Sequence, residues 1–282
     1  TTSASILSSA QVAAITTAGI AKLSTDAIQA LTTSGIRGLS SDQVSSITSA
    51  QLAAVTTSQV AGLTTAQIVA LTTAQAAKFS TDQISALTTA QVNNLETADL
   101  AKLSTDAVVS LNSAQLKALS TAQISAMTSA QTAALTSDQV GSLSTPQLAA
   151  LLVGTQMSAM TTAQVAALTT AQIVALTTLQ ASQLSSAQVA AMSTAQIAAI
   201  DTVDFAKIST AALSGLTAEQ SAKLTTDQIV ALTTTQASQL SATSSGALTS
   251  AQVAALETVD LANLSTDAIQ ALTTSALAGL SA

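Results

Sequence analysis

The chain lacks cysteine, histidine, tryptophan and tyrosine, and its only aromatic residues are Phe79 and Phe205. These residue types supply most general bases, transition-metal ligands and base-stacking platforms in proteins. Their absence argues against an enzyme, and we expect neither a catalytic residue nor a cofactor. Without cysteine no disulfide can stabilise the fold, which fits either a reducing cytosol or a bacterial surface protein without thiols.

Basic residues are also scarce. Seven Lys and Arg stand against fourteen Asp and Glu, which gives a net charge of −7, and the seven are scattered singly along the chain. Proteins that bind nucleic acid need clustered positive charge to neutralise the phosphate backbone. We therefore expect no nucleic-acid partner.

Long hydrophobic runs are missing, although the mean hydropathy is high at +0.51. The longest run free of hydroxyl, amide and charged side chains extends from Leu148 to Gly154. A bilayer span needs about 20 such residues, so we predict no membrane span. The opening TTSAS has neither a starting Met nor the pattern of a signal peptide, and we interpret the chain as a piece of a longer protein.

What the chain does contain is an eight-residue repeat. The words LTTAQIVAL at 63–71 and LTTAQAAKF at 71–79 share the leucine at which one ends and the next begins. An apolar anchor, numbered position 0, recurs every eight residues from Leu7 to Leu151 and from Met160 to Leu280. We predict one continuous array over residues 1–282, with octads in 7–151 and 160–282 and a one-residue insertion within 151–160.

The remaining positions of the octad predict a helix start. Position 1 is Ser, Thr, Asn, Asp or Glu in every octad except at Leu152, and position 4 is most often Gln. A hydroxyl at the N-cap and Gln three residues later form a capping box, and apolar residues on either side form a hydrophobic staple. Thr64 with Gln67, and Leu63 with Ile68, are one instance.

The charges support the same interpretation, because a helix dipole favours acids in the first turn and bases in the last. All acids lie at positions 1, 3 or 4, and all bases lie at positions 6 or 7. The acids are Asp26, Asp42, Asp82, Glu96, Asp99, Asp106, Asp138, Asp201, Asp204, Glu219, Asp227, Glu257, Asp260 and Asp267, and the bases are Lys22, Arg37, Lys78, Lys102, Lys117, Lys207 and Lys223.

We predict an all-α fold, a solenoid in which each octad forms one short capped helix. A single continuous helix is excluded because eight residues at about 100° each leave a drift of about 80° per repeat. A β-solenoid is the alternative that Thr-rich repeats suggest, but Ala and Gln are poor strand formers and no period-two alternation is sustained. Helices this short need their neighbours for stability, and small residues at position 7, such as Gly62 and Gly215, let them approach closely.

Candidate sites are few. Two acidic triads could supply oxygen ligands to Ca²⁺, but the favoured interpretation is that they are N-caps and first-turn dipole partners, because no glycine-turned calcium loop is present. The triads are Glu96, Asp99 and Asp106, and Glu257, Asp260 and Asp267. The insertion is interpreted either as a tolerated bulge or as a joint that exposes Leu152 and Val153 as an apolar contact for another chain.

The whole chain resembles the low-complexity octad arrays, rich in LTTAQ and LSTDQ words, of very large secreted or surface-attached bacterial proteins. The resemblance implies a stalk, an adhesin shaft or a fibre subunit. We therefore expect a structural protein that forms a rod or filament on or outside a bacterial cell by self-association. The alternative is a surface-binding module, in which paired threonines present a lattice to ice or to glycan.

Overall fold

The computed structural model describes residues 4–152 and 156–281, and over these residues every regular element is a helix. Each α-helix holds four to seven residues, and successive helices follow the octads one by one. The prediction of an all-α solenoid is confirmed. The described chain contains no strand, so the β-solenoid alternative is wrong.

The structure divides into two compact units, Thr1–Leu143 and Ser144–Ala282. The helices of the first unit are α1 (Ser9–Ala13), α2 (Thr17–Ala21), α3 (Thr25–Ala30), α4 (Thr33–Arg37), α5 (Ser41–Ser46), α6 (Ser49–Ala54), α7 (Thr57–Gly62), α8 (Thr65–Val69), α9 (Thr73–Ala76), α10 (Thr81–Ser85), α11 (Thr89–Asn93), α12 (Thr97–Leu100), α13 (Thr105–Val109), α14 (Ser113–Ala118), α15 (Thr121–Ser125), α16 (Ser129–Ala134) and α17 (Ser137–Ser142).

The second unit repeats the same element. Its helices are α18 (Thr145–Leu151), α19 (Gln156–Ala159), α20 (Thr162–Ala166), α21 (Thr170–Val174), α22 (Thr178–Ser182), α23 (Ser186–Ala191), α24 (Thr194–Ala199), α25 (Thr202–Phe205), α26 (Thr210–Leu213), α27 (Ala218–Ala222), α28 (Thr226–Val230), α29 (Thr234–Ser238), α30 (Ala242–Gly246), α31 (Ser250–Ala255), α32 (Thr258–Ala262), α33 (Thr266–Ala271) and α34 (Thr274–Leu277), followed by a 3₁₀ helix over Ala278–Ser281.

The predicted cap ends one helix and starts the next. At the end of α7 the anchor Leu63 adopts φ −60° and ψ 142°, and Thr64 then adopts φ −76° and ψ 159°. Two extended residues break the helix, and the Thr64 hydroxyl accepts the N–H of Gln67 at 3.2 Å. The side-chain carbonyl of Gln67 accepts the N–H of Thr64 at 2.8 Å. The capping box is therefore confirmed, and it satisfies two amides that a helix start leaves without partners.

The core is formed by positions 0 and 5, as the staple predicts. Leu63 is 8% exposed and Ile68 is fully buried, and the same pattern recurs along both units. Even the larger side chains Phe79 and Phe205 occupy these slots and are buried. Because each octad contributes only one such pair, its apolar surface is covered mainly by helices from other turns.

Within each unit helices pack against the third helix along the chain, so α1 lies on α4 and α20 lies on α23. Hydrogen bonds and close contacts between turns join residues about 28 to 31 positions apart. A turn of the solenoid therefore holds between three and four octads. The same register recurs within each unit, which makes the octads equivalent members of a spiral.

Glycines at position 7 permit the closest approach between turns. A Cβ atom at Gly38 would lie 2.6 Å from the Cα atom of Ser9 in the preceding turn. One at Gly215 would meet the main chain of Ser186, and one at Gly62 would meet the side chain of Thr33. The expectation that small residues at position 7 set the spacing is confirmed at Gly62 and Gly215.

Gly38 and Gly35 form a matched pair for testing this spacing. Gly38→Ala should lower the free energy of unfolding by about 1 to 3 kcal/mol, because the main chain of Ser9 must move aside. The nearest atom to a Cβ at Gly35 is the Thr32 hydroxyl at 3.4 Å. Gly35→Ala should therefore raise stability by about 0.4 to 1 kcal/mol through the lower entropy of the unfolded chain. Urea unfolding followed by circular dichroism measures both, and equal effects would contradict the packing argument.

Candidate functional site

The most repeated polar feature is the glutamine at position 4, which is buried at nearly every octad that carries it. Gln67 is 2% exposed although it bears both an amide donor and a carbonyl acceptor. Its acceptor closes the capping box on Thr64. Its Nε2 atom donates at 2.8 Å to the carbonyl of Ile36 and at 2.8 Å to the carbonyl of Leu39, both in the preceding turn. One side chain therefore closes a helix start and joins two turns.

These bonds form a ladder through each unit. In the first unit Gln91 donates to the carbonyls of Val60 and Leu63, at 2.8 and 2.7 Å. In the second unit Gln228 donates to those of Ile197 and Ile200, both at 2.8 Å. In most octads the acceptors belong to positions 5 and 0, which are the core-forming residues; at Gln139 the acceptors are instead Val109 at position 6 and Leu111 at position 0. The glutamine ladder thus satisfies buried carbonyls where one octad passes into the next.

The sequence pattern predicts only the capping role of the glutamine and does not predict the bonds between turns. The signal that could have revealed them is the absence of Glu from position 4 in every octad. Glu would close the same capping box, and the helix dipole would favour it there. A carboxylate, however, carries no N–H for the two carbonyls of the preceding turn.

Three octads replace the glutamine by aspartate. Asp99, Asp204 and Asp260 are 1%, 4% and 1% exposed. Burial raises the pKa of Asp99 to about 6, and the neighbouring charge of Glu96 adds to the rise. Burial first, and the Asp201 carboxylate second, also raise the pKa of Asp204. The structure therefore holds carboxylates in slots that elsewhere hold an amide.

The first predicted acidic triad is only partly assembled. Glu96 is the N-cap of α12 but makes no side-chain cap bond, and Asp99 is the third residue of that helix. Asp106 lies on α13 and is exposed.

The second triad repeats this arrangement. Glu257 is the N-cap of α32 without a side-chain cap bond, Asp260 is buried, and Asp267 is exposed on α33. Within the described ranges no three acidic side chains are grouped to hold a metal ion. Neither triad therefore forms a three-carboxylate site.

Leu152, the last described residue before 156, is buried. That residue is the C-cap of α18, and it is 1% exposed, so the expectation that it is displayed on the surface is wrong. Its carbonyl accepts Nε2 of Gln180 at 3.3 Å, and the Ala149 carbonyl accepts the same group at 3.3 Å. The extra residue shifts the ladder by one position, so Leu152 packs inside as an anchor would. Val153 lies outside the described residues.

No helix among the described residues has both the length and the apolar character needed to cross a bilayer.

The repeated helix, the shared register and the glutamine ladder define a helical repeat protein of the solenoid class. The family model of the ALTTAQ repeat matches residues 20–57, 46–81, 60–95, 92–129, 108–145, 197–234 and 253–282. These segments cover more than half of the chain, and the protein belongs to the ALTTAQ repeat family. A search of curated proteins finds no match.

The ladder predicts that Gln67 contributes more to the free energy of unfolding than the N-cap hydroxyl of Thr64 does. Thr64→Ala should cost about 1 kcal/mol, as the loss of an N-cap hydroxyl does. Gln67→Ala should cost more, about 2 to 5 kcal/mol, because three main-chain groups lose a partner. Gln67→Glu is the second variant, since it keeps the box, removes the bonds between turns and adds a buried carboxylate. Urea unfolding should show a loss of stability as large as that of Gln67→Ala. If Gln67→Glu left the free energy of unfolding unchanged, the bonds between turns would not stabilise the fold.

The buried carboxyl predicts that stability falls as the pH rises. The pKa of Asp99 in the fold is about 6 against an ordinary value of 3.8, so the protonated carboxyl stabilises the fold relative to the ionised one. This contribution is fully present below pH 3.8 and is lost as the pH rises through 6. Without divalent cations, Asp99→Asn should flatten the dependence of unfolding on pH between 4 and 7. Asp106→Asn, at an exposed carboxyl one helix later, should leave that dependence unchanged.

Proposed function

We propose that the protein is a structural spacer, a rod or filament subunit that acts on or outside a bacterial cell. The observation that carries the proposal is the glutamine ladder, which gives each turn of a unit the same hydrogen-bonded attachment to the turn before it. Such a design lengthens by adding octads and needs no specialised residue. The proposal assigns the chain a mechanical role and no reaction.

Self-association is part of this proposal, and the surface of the second unit supports it. No charged residue occurs between Asp138 and Asp201, although the chain as a whole carries a net charge of −7. In and beside this stretch Val174, Leu179 and Val203 are 57%, 60% and 63% exposed. A neutral surface with exposed aliphatic side chains lets copies of an acidic chain meet without charge repulsion.

The ice- or glycan-binding alternative has no comparable support among the described residues. Paired threonines such as Thr64 and Thr65 are explained by the cap and by the first helical residue that follows it. We therefore do not propose a ligand for the hydroxyl-rich surface.

The test is the state of the full chain in dilute solution. Light scattering and electron microscopy should show extended particles that grow with protein concentration. The triple variant Val174→Ser, Leu179→Ser and Val203→Ser should shift assembly to higher concentration while keeping its helical circular dichroism.

Ala171→Ser is the matched control, because it adds a hydroxyl at an exposed position of the same helix as Val174. It should assemble like the unchanged protein. A compact monomer at every concentration would contradict both the rod and the self-association.

A further inference from the structure

The aspartates in the ladder always come with a second acid. Position 1 is acidic only in the three octads whose position 4 is Asp, and the pairs are Glu96 with Asp99, Asp201 with Asp204, and Glu257 with Asp260. Two carboxylates within one helical turn repel each other. In the first two pairs the partner charge contributes to the raised pKa of the buried Asp. A helix dipole explains single acids at these positions, but it does not explain why the two occur together.

In two pairs the acidic N-cap performs no capping. Neither Glu96 nor Glu257 accepts a main-chain N–H through its side chain, whereas the N-cap hydroxyls of neighbouring octads do. The third pair differs, because Asp201 accepts the N–H of Asp204 at 2.8 Å. Glu96 and Glu257 are exposed, so each provides a solvent-accessible carboxylate three residues before a buried one.

The buried member of each of these two pairs has an oxygen without a partner. Oδ2 of Asp99 and Oδ1 of Asp260 are buried and make no hydrogen bond. Carboxylate oxygens in such surroundings are costly unless a donor or a positive charge accompanies them. A positive charge bound beside Asp99 or Asp260 would therefore stabilise the buried carboxylate.

The register of the ladder identifies the main-chain carbonyls that lie opposite Asp99. Gln131 donates to the carbonyls of Leu100 and Leu103, so the octad that contains Asp99 keeps the common register. By that register Asp99 faces the carbonyls of Ile68 and Leu71, which lie 31 and 28 residues earlier. Asp is one methylene shorter than Gln and has no N–H, so it cannot supply the donor that Nε2 gives to these two carbonyls elsewhere.

Asp260 occupies the same place in the second unit. Gln252, one octad earlier, donates to the carbonyls of Ser221 and Leu224 at 2.9 and 2.7 Å. The register then places Asp260 opposite the carbonyls of Ile229 and Leu232. Both slots thus combine two carboxylates from one turn with two main-chain carbonyls from the turn before.

We propose that Glu96 with Asp99, and Glu257 with Asp260, bind Ca²⁺ between turns of the solenoid. Ca²⁺ takes carboxylate and carbonyl oxygens in irregular sets of six to eight, with water completing the shell. Mg²⁺ fits less well, because it requires octahedral geometry and keeps its water. The ion replaces the missing amide and joins the same two turns that a glutamine joins elsewhere. The main-chain carbonyls supply the additional oxygen ligands that the incomplete acidic triads lack.

Calcium-dependent unfolding of the full chain tests the proposal. At pH 7.5 we expect the Tm to rise when chelator is replaced by millimolar Ca²⁺, and to rise less with Mg²⁺ at the same concentration. Isothermal titration calorimetry should show two sites per chain.

The decisive variant combines Glu96→Thr, Asp99→Gln, Glu257→Thr and Asp260→Gln, which restores the common octad at both places. It should match or exceed the unchanged protein in stability in chelator, and its response to Ca²⁺ should be lost. Because this variant gains ladder bonds, misfolding is not the expected cause of the lost response, and helical circular dichroism verifies that it folds.

Asp106→Asn with Asp267→Asn is the matched control, since it removes the same number of exposed acids from each neighbouring octad. It should keep the full response to Ca²⁺. An equal response in the four-residue variant would mean that Ca²⁺ acts on the general surface charge. No response in the unchanged protein, together with stabilisation by acid alone, would mean that protons fill the slots. Either result overturns the proposal.

Discussion

The structure depends on one side chain that makes hydrogen bonds in two directions. Gln67 accepts the N–H of its own N-cap and donates to two carbonyls of the preceding turn. The first bond helps a five-residue helix to start, and the other two hold it against the residues that cover it. Helices of this length are unstable alone. A residue that joins the local cap to the neighbouring turn therefore makes each octad depend on the one stacked against it.

This arrangement explains how a chain with hardly any aromatic residues forms a core. Each octad buries only two main apolar side chains, the anchor and the residue at position 5, such as Leu63 and Ile68. Large jigsaw cores need bulky side chains, but a solenoid distributes burial evenly along its length. Burying the main-chain carbonyls between octads would destabilise the fold if they had no donor, and the side-chain amide of the glutamine supplies that donor. Composition and architecture therefore match.

Departures from the common octad are informative because the rest is so uniform. Gly35 and Ala107 stand at position 4 without any polar group, and both are buried without an unpartnered side-chain atom. Asp99 and Asp260 instead bring a carboxylate and leave one oxygen without a partner. A small residue simply omits the bonds between turns, whereas an acid creates a new electrostatic demand. This difference separates structural variation from the candidate sites.

The sequence by itself determined the local structure. The N-cap at Thr64, the acidic first turns and the choice of Leu63 and Ile68 as the apolar pair follow from the pattern within eight residues, and the all-α class follows from them. What only the tertiary structure decided lies between turns. The number of octads in a turn, the carbonyls opposite Gln67 and the burial of Leu152 depend on residues about 28 positions apart. An octad repeat carries no signal at that distance, because every octad offers the same surface and only packing selects which one lies opposite.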